Sequence, residues 1–199
     1  MDYKSQIGQD KFVCEVLKNK NEGYFIDIGA GHPVNSNNTV FLEKSLNWSG
    51  LSIDMGPENE HCHVAPGTTK ESFLKMWDEQ RNTDFVCGNA LAIDYKSFFK
   101  EKGVPKVVDY LSLDLEPADI TCECLLMLPF DEYQFKIITF EHDLYRNFEK
   151  NMEYLQRARD FLKQFGLVPI DVRKALANAG YDVNRIAVQE DWFLNPSLI

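Results

Sequence analysis

Apolar positions recur along the chain with two periods. Phe12, Val13, Val16 and Leu17 fall on one face at helical spacing, which predicts an amphipathic helix over residues 5–20. Short, nearly unbroken apolar runs at 24–28, 50–54, 84–87, 106–113 and 134–140 read instead as strands, and the Val-, Leu- and Tyr-rich run at 106–113 as one buried on both faces. Between them lie helical patterns: one from residue 40, behind the capping residues Ser36-Asn37-Asn38-Thr39, and others over 69–80, 95–102, 118–127 and 147–165. Residues 55–67, rich in Gly, Pro and His, have neither period. In the tail, 167–170 is strand-like, 171–179 helical, and 184–194 extended, closing on Trp192-Phe193-Leu194. About seven strands interleaved with helices predict an α/β protein: an open, mostly parallel sheet with helices on both faces.

Composition narrows the class. The 199 residues contain no Pro/Gly/Ser-rich linker and no repeat, so a single domain over 1–199 is expected. With 44% hydrophobic residues, a disordered or fibrous chain is excluded. The net charge of −10, without a Lys/Arg cluster, argues against nucleic acid as a partner. No apolar run approaches the roughly 18 residues of a membrane span, and Met1 to Gln6 has no apolar signal core, so a soluble, cytoplasmic protein with no membrane partner is expected. Five cysteines without a CxxC pair speak against a disulfide framework and against a thiolate zinc site. Nothing in the pattern indicates an oligomeric state.

The chemistry is concentrated after the first strand, in Phe25-Ile26-Asp27-Ile28-Gly29-Ala30-Gly31. Glycines at 29 and 31 allow a sharp turn and a close backbone approach to a ligand. Asp54 closes the next strand, at a distance that suits a carboxylate on ribose hydroxyls, and Cys87-Gly88-Asn89-Ala90 closes the third. Glycine turns also follow strands in α/β proteins without ligands, but three strand ends of this kind would line one crevice. A nicotinamide dinucleotide is disfavoured because Val34 stands where the third glycine belongs and Pro33 interrupts the turn; no Gly-Lys-Ser/Thr follows for a P-loop. S-adenosylmethionine, with one nucleoside, fits the loop better. A nucleotide- or NAD-dependent protein on the same scaffold, or a non-enzymatic binding module, is the alternative.

Ser5-Gln6-x-Gly8-Gln9-Asp10, Phe25 to Ala30, Ser36-Asn37-Asn38-Thr39, Leu42-Glu43-Lys44, Trp48-Ser49-Gly50, Leu111-Ser112-Leu113-Asp114-Leu115-Glu116, Ile138 to Asp143 and Glu190-Asp191-Trp192 follow one another in an order that resembles the FkbM-type methyltransferases over nearly the whole chain. The resemblance implies a class I, Rossmann-like methyltransferase fold. It also implies S-adenosylmethionine as methyl donor, S-adenosylhomocysteine as product, and a small hydroxylated acceptor such as a sugar or natural product. It assigns Asp27, Gly29, Ala30, Gly31, Asp54, Asn89, Ala90 and Asp114 to the cofactor, has Asp114 and Glu116 face the acceptor, and packs residues 1–20 near the crevice. Two departures stand out: Glu116-Pro117-Ala118, where many members have Glu-Gly, and Asp54-Met55-Gly56-Pro57, where many have Glu-Pro.

Methyl transfer to a hydroxyl needs orientation and a proton acceptor. The catalytic candidates are Asp114 and Glu116 at the end of the fourth strand, which could divide the work with one near the cofactor and one toward the acceptor, and His142, whose ordinary pKa of about 6.5 suits it to taking a proton; His142 or Glu116 is the expected base. Glu116 as a helix cap and His142 as a structural hydrogen-bonding residue are the plainer readings. No metal is assigned. His61-Cys62-His63 offers two imidazoles on one side only if extended, without a second ligand pair, and spacing gives no support to a cation on Asp114, Glu141 and His142. Phe73, Leu74 and Trp77, at helical spacing, read as core, as do Trp48 and Trp192, the latter near enough to the chain end to close a pocket wall.

Overall fold

The computed structural model describes residues 2–59, 62, 64–177 and 179–199. Seven strands form one sheet: β1 Tyr24–Ile28, β2 Ser49–Asp54, β3 Asp84–Cys87, β4 Val107–Leu113, β5 Gln134–Glu141, β6 Val168–Pro169 and β7 Glu190–Leu194, in the order β3-β2-β1-β4-β5-β7-β6. The first five run parallel, while β7 pairs antiparallel with both β5 and β6. Chain order reverses between β1 and β4, which are registered Phe25 to Tyr110 and Ile28 to Leu113. A crevice opens at such a reversal, outside the carboxyl ends of the strands.

Alternate residues of these strands feed two cores, because successive side chains point to opposite faces. Ile26, Ile53, Leu111, Ile138 and Phe140 pack with residues of α4 Tyr95–Glu101, α5 Ala118–Met127 and α6 Phe148–Lys163. Phe25, Tyr110, Ile137 and Trp192 pack on the other face, with α1 Gln9–Val16, α2 Val40–Leu46, α7 Val172–Ala175 and α8 Val183–Gln189. The remaining helix, α3 Lys70–Gln80, begins with a reciprocal cap in which Thr69 and Ser72 exchange backbone and hydroxyl hydrogen bonds. It buries Phe73 and Trp77 but leaves Leu74 exposed, contrary to the core reading of all three.

The opening helix is shorter than the expected 5–20. Asp10 folds its carboxylate back onto Lys4 N at 2.6 Å and onto the Ser5 backbone and hydroxyl, and Gly8 takes a left-handed φ of 97°, so helical geometry starts only at Gln9. It stops at Val16, before Lys18 and Asn19 turn to positive φ. The tail departs more. Residues 184–189 are helical rather than extended, because the Asp182 carboxylate accepts from Arg185 N at 3.1 Å and caps a turn that buries Ile186. Among the described residues of 171–179, the one-turn α7 is the helix that forms. Cys14, Cys122 and Cys124 are buried, whereas Cys62 and Cys87 are half-buried; all five are free. Among the described residues no helix is long and apolar enough to cross a membrane.

Candidate active site

A cleft of about 750 Å³ lies over the carboxyl ends of β1, β2, β4 and β5, within the range of small-ligand sites. Its first wall is the glycine loop. Gly29 holds φ at 86°, and a Cβ there would lie 1.8 Å from the Asp114 carbonyl oxygen, so only glycine lets the ends of β1 and β4 close together. The amides of Gly29 and Ala30 donate to the Ile53 carbonyl, and Asp114 N donates to the Ile28 carbonyl at 3.0 Å, which stitches the three strand ends.

Four successive carbonyls of this loop are tied down by side chains. Ala30 O accepts from Asn37 Nδ2 at 3.0 Å, Gly31 O from Trp77 Nε1 at 3.2 Å, His32 O from Asn37 Nδ2 at 3.3 Å and Pro33 O from Arg81 Nη1 at 2.9 Å. Arg81, just beyond α3, is the hub: its buried guanidinium also reaches Asn37 Oδ1, Thr39 Oγ1 and, at 2.8 Å, Glu43 Oε2. Burial would raise the Glu43 carboxyl, but Arg81 and the Asn82 amide hold it below the usual range. Sequence reasoning missed Arg81, since an arginine at a helix end reads as a solvated charge.

Asp27 belongs to this supporting layer and not to the cleft lining, which corrects its expected cofactor contact. It is 1% exposed and accepts from Thr39 Oγ1 at 2.9 Å. Burial lifts its pKa to about 6, against the opposing pull of Thr39 and Arg81. Its position before the loop in sequence puts it beneath the loop in space, because side chains alternate along β1.

Gly29, Ala30, Gly31, Asp54, Asn89, Ala90 and Asp114 do line the cleft. Asp54 accepts from Gly31 N at 2.8 Å on one oxygen and from Gly56 N at 2.6 Å on the other. The two amides fix its rotamer, and a carboxylate has about four acceptor sites, so hydroxyls of a ligand can still bind. Asn89 uses its Oδ1 to cap Leu91 N at 2.9 Å, which sets a 3-10 turn over Ala90–Ala92 against the same wall. Gln6, from the arm preceding α1, also reaches the cleft, and Ser5 pairs with Ser36 in an isolated bridge.

The opposite wall is acidic. Asp114 and Glu116 follow β4, and Glu141 ends β5. One oxygen each of Glu116, Glu141 and Asp143 lies within 4.8 Å of the others. Arg146 bridges the group, with Nη2 at 2.5 Å from Glu116 and Nε at 2.9 Å from Asp143. Burial and then the nearby Asp114 push the Glu141 carboxyl well above its usual value. Asp143 is raised by burial despite Arg146, and Glu190, behind the wall, is raised to about 8 by burial and Asp114.

His142 is not among these groups, and its expected role as proton acceptor is withdrawn. Successive residues leave a strand on opposite faces, so Glu141 lines the cleft while His142, with no exposed surface, lies 3.7 Å through Nε2 from Asp191, itself clamped by Arg159 at 2.6 Å. Trp192 likewise is core, donating through Nε1 to Glu190 at 2.7 Å, and closes no wall of the cleft. Glu116 is an ion-pair partner of Arg146; Pro117 occupies the cap position of α5. Asp143, at a φ of 47°, is buried directly behind the acidic wall, against Glu116 and Glu141, where sequence reasoning singles out its neighbour His142 instead. Arg146 and Tyr145 were missed too, though their place just after a strand end was a usable signal. Of His61-Cys62-His63, only Cys62 lies within the described residues, on the cleft near Asp54.

No family model matches the sequence, and no curated protein does. Solved structures resemble it. Rv0187 from MTB, determined with its cofactor bound, is 15% identical and superposes at a TM-score of 0.51 over 98% of this chain and 83% of its own. A candidate rRNA methylase from Clostridium thermocellum, 16% identical, gives 0.50 over 98% and 99%. The small RNA methyltransferase HEN1, 12% identical, gives 0.53 over 100% of this chain and 27% of its own. At such identities the likeness concerns the fold, which is that of the class I methyltransferases.

Proposed function

We propose that the protein is an S-adenosylmethionine-dependent methyltransferase acting on a hydroxyl of a small acceptor such as a sugar, and that it releases S-adenosylhomocysteine. The observation that carries this reading is the cleft at the β1/β4 reversal, with a pinned glycine loop, Asp54 and Asn89 on one wall and carboxylates on the other. The methionine moiety fits the backbone beside Gly29 and Gly31, the ribose hydroxyls fit Asp54, and the adenine fits the Asn89-Ala90 turn. The motif order from Ser5-Gln6 to Glu190-Asp191-Trp192 supports an FkbM-type enzyme.

In the transfer, the acceptor oxygen attacks the sulfonium methyl carbon as the carbon–sulfur bond breaks. The electron pair goes to sulfur and the hydroxyl proton to a carboxylate. Asp114 is best sited for that proton: its backbone is fixed at Ile28 and it lines the cleft between the glycine loop and the acidic wall. Half-exposed Tyr145, also on the cleft, offers a ring face to a sugar. The acidic wall disfavours polyanions, so we read the acceptor as neutral or cationic rather than RNA.

Thermal shift with S-adenosylmethionine, S-adenosylhomocysteine and NADH tests the cofactor. Both sulfur ligands should stabilise the wild type and neither should stabilise Asp54→Ala; stabilisation by NADH alone refutes the assignment. Release of S-adenosylhomocysteine in the presence of hydroxylated small molecules or a structured RNA tests the acceptor, and turnover with RNA alone overturns the small-acceptor reading. Asp114→Asn should lower turnover by about 10²- to 10⁴-fold, the range of general-base catalysis, while retaining cofactor binding.

A further inference from the structure

Among the described residues, four carboxyl groups and one guanidinium crowd this side of the cleft. Glu116, Glu141 and Asp143 converge within 4.8 Å, Asp114 stands beside Glu141, and Arg146 is the cation that pairs with Glu116 and Asp143. Deeply buried polar atoms are ordinarily hydrogen-bonded. Here Glu141 Oε2 and Asp143 Oδ1 are buried without a hydrogen-bond partner, on residues only 8% and 2% exposed. Desolvated carboxylate oxygens facing other carboxylates are costly unless a cation compensates them.

We propose that Glu116, Glu141 and Asp143 form a binding site for one hard divalent cation, Mg²⁺ or Mn²⁺, on the acceptor wall of the cleft. The donor set is all oxygen, as these ions prefer, and the cleft side leaves room for the waters or substrate hydroxyls that Mg²⁺ retains. Asp143 is held for the task by its left-handed backbone, with His142 N and Asp143 N both donating to the Gln189 carbonyl. Arg146, whose side chain is 45% exposed, can swing into solvent and yield its two carboxylates to the ion. A vicinal diol could then chelate the ion, which lowers the pKa of a bound hydroxyl beside Asp114. The acceptor chemistry rests on the methyltransferase reading; the cation site does not.

The test is a Mn²⁺ titration of the full chain, followed by electron paramagnetic resonance and isothermal calorimetry, without S-adenosylmethionine, so that its outcome is independent of methyl transfer. Wild-type protein should bind one ion in the micromolar to millimolar range, with Mg²⁺ competing. Glu141→Gln and Asp143→Asn should each weaken binding at least about tenfold, the least that loss of even a supporting residue costs a metal site. Arg146→Gln should tighten it. Glu141→Gln should also melt no lower than wild type in metal-free buffer, because it removes a repelled charge. Absence of stoichiometric binding, or equal affinity in wild type and both carboxylate variants, overturns the proposal. If neither carboxylate variant folds, Arg146→Gln decides: tighter binding supports the site, and unchanged or weaker binding refutes it.

Discussion

Replacing Arg81 by Met should damage both stability and the cofactor wall, and the structure gives the size. The guanidinium is fully buried and its Glu43 partner has 4% of its side chain exposed. Removing one member of such a pair typically costs about 3–5 kcal/mol, because the other charge stays buried. Glu43 would keep the Asn82 amide at 2.9 Å and Lys44 at 3.1 Å, which places the loss toward the lower end of that range. Pro33 O loses its donor as well, whereas Asn37 Oδ1 keeps the Thr39 and Val40 amides, and one newly unsatisfied group adds about 1 kcal/mol or more. We therefore expect about 4 kcal/mol, a large part of the 5–15 kcal/mol of a typical domain. Urea unfolding at constant m-value measures it. Glu43→Gln, alone and combined with Arg81→Met, completes the cycle; contacting residues should couple by about 1–3 kcal/mol, so the double variant is less unstable than the sum. The folded fraction of Arg81→Met should bind S-adenosylhomocysteine about tenfold more weakly, since the Pro33 carbonyl is freed and Asn37, which holds two others, loses its Arg81 support. A cost below about 1 kcal/mol, or strict additivity with Glu43→Gln, would refute the network.

Gly29→Ala should abolish cofactor binding and lower the melting temperature: the new methyl meets the Asp114 carbonyl at 1.8 Å, and the left-handed backbone adds about 1–2 kcal/mol; calorimetry showing wild-type affinity would contradict this. Asp27 sets a pH dependence of definite sign. Its folded pKa is raised from 3.8 to about 6, so the stability it confers is complete below pH 4 and lost as pH rises through 6, about 3 kcal/mol in all. Asp27→Asn should flatten the stability curve between pH 4 and 7, and an unchanged slope would exclude the residue as its source. Tyr145→Ala should raise the acceptor KM several-fold while leaving S-adenosylhomocysteine affinity unchanged; a matching loss of cofactor affinity would show that the ring serves the other wall.

The strands of the parallel sheet and the glycine loop were legible because each is a local pattern: an apolar run, a turn, a carboxylate at a strand end. Thr69 could be read as the start of a helix for the same reason. The tail was misread because Val183, Ile186 and Val188 look extended by residue type, whereas the Asp182 cap and the burial of Ile186 decide for helix. Asp27 and His142 show the main limit of motif reading. Each sits one residue from a position that lines or shapes the cleft, and the pleat sends each away from it. Arg81 was invisible because its value comes from residues about 40 positions distant, which only the fold assembles.

The two walls of the cleft are built on opposite principles, and the contrast carries functional meaning. On the glycine-loop wall the successive carbonyls from Ala30 to Pro33 and both oxygens of Asp54 have defined partners, so that surface is rigid before any ligand arrives. A ligand bound there would need little further reorganisation, which preserves affinity otherwise spent on ordering the loop. At the acidic wall, Glu141 and Asp143 keep buried oxygens unpaired, and Arg146 reaches across to hold Asp143 and Glu116 from a partly exposed position. Folding alone would favour apolar residues there, since buried charge this poorly compensated costs stability. A chain that satisfies one wall so completely while leaving two buried oxygens open at the facing one has kept those oxygens for a ligand if the proposed cation binds there, and the Mn²⁺ titration decides it.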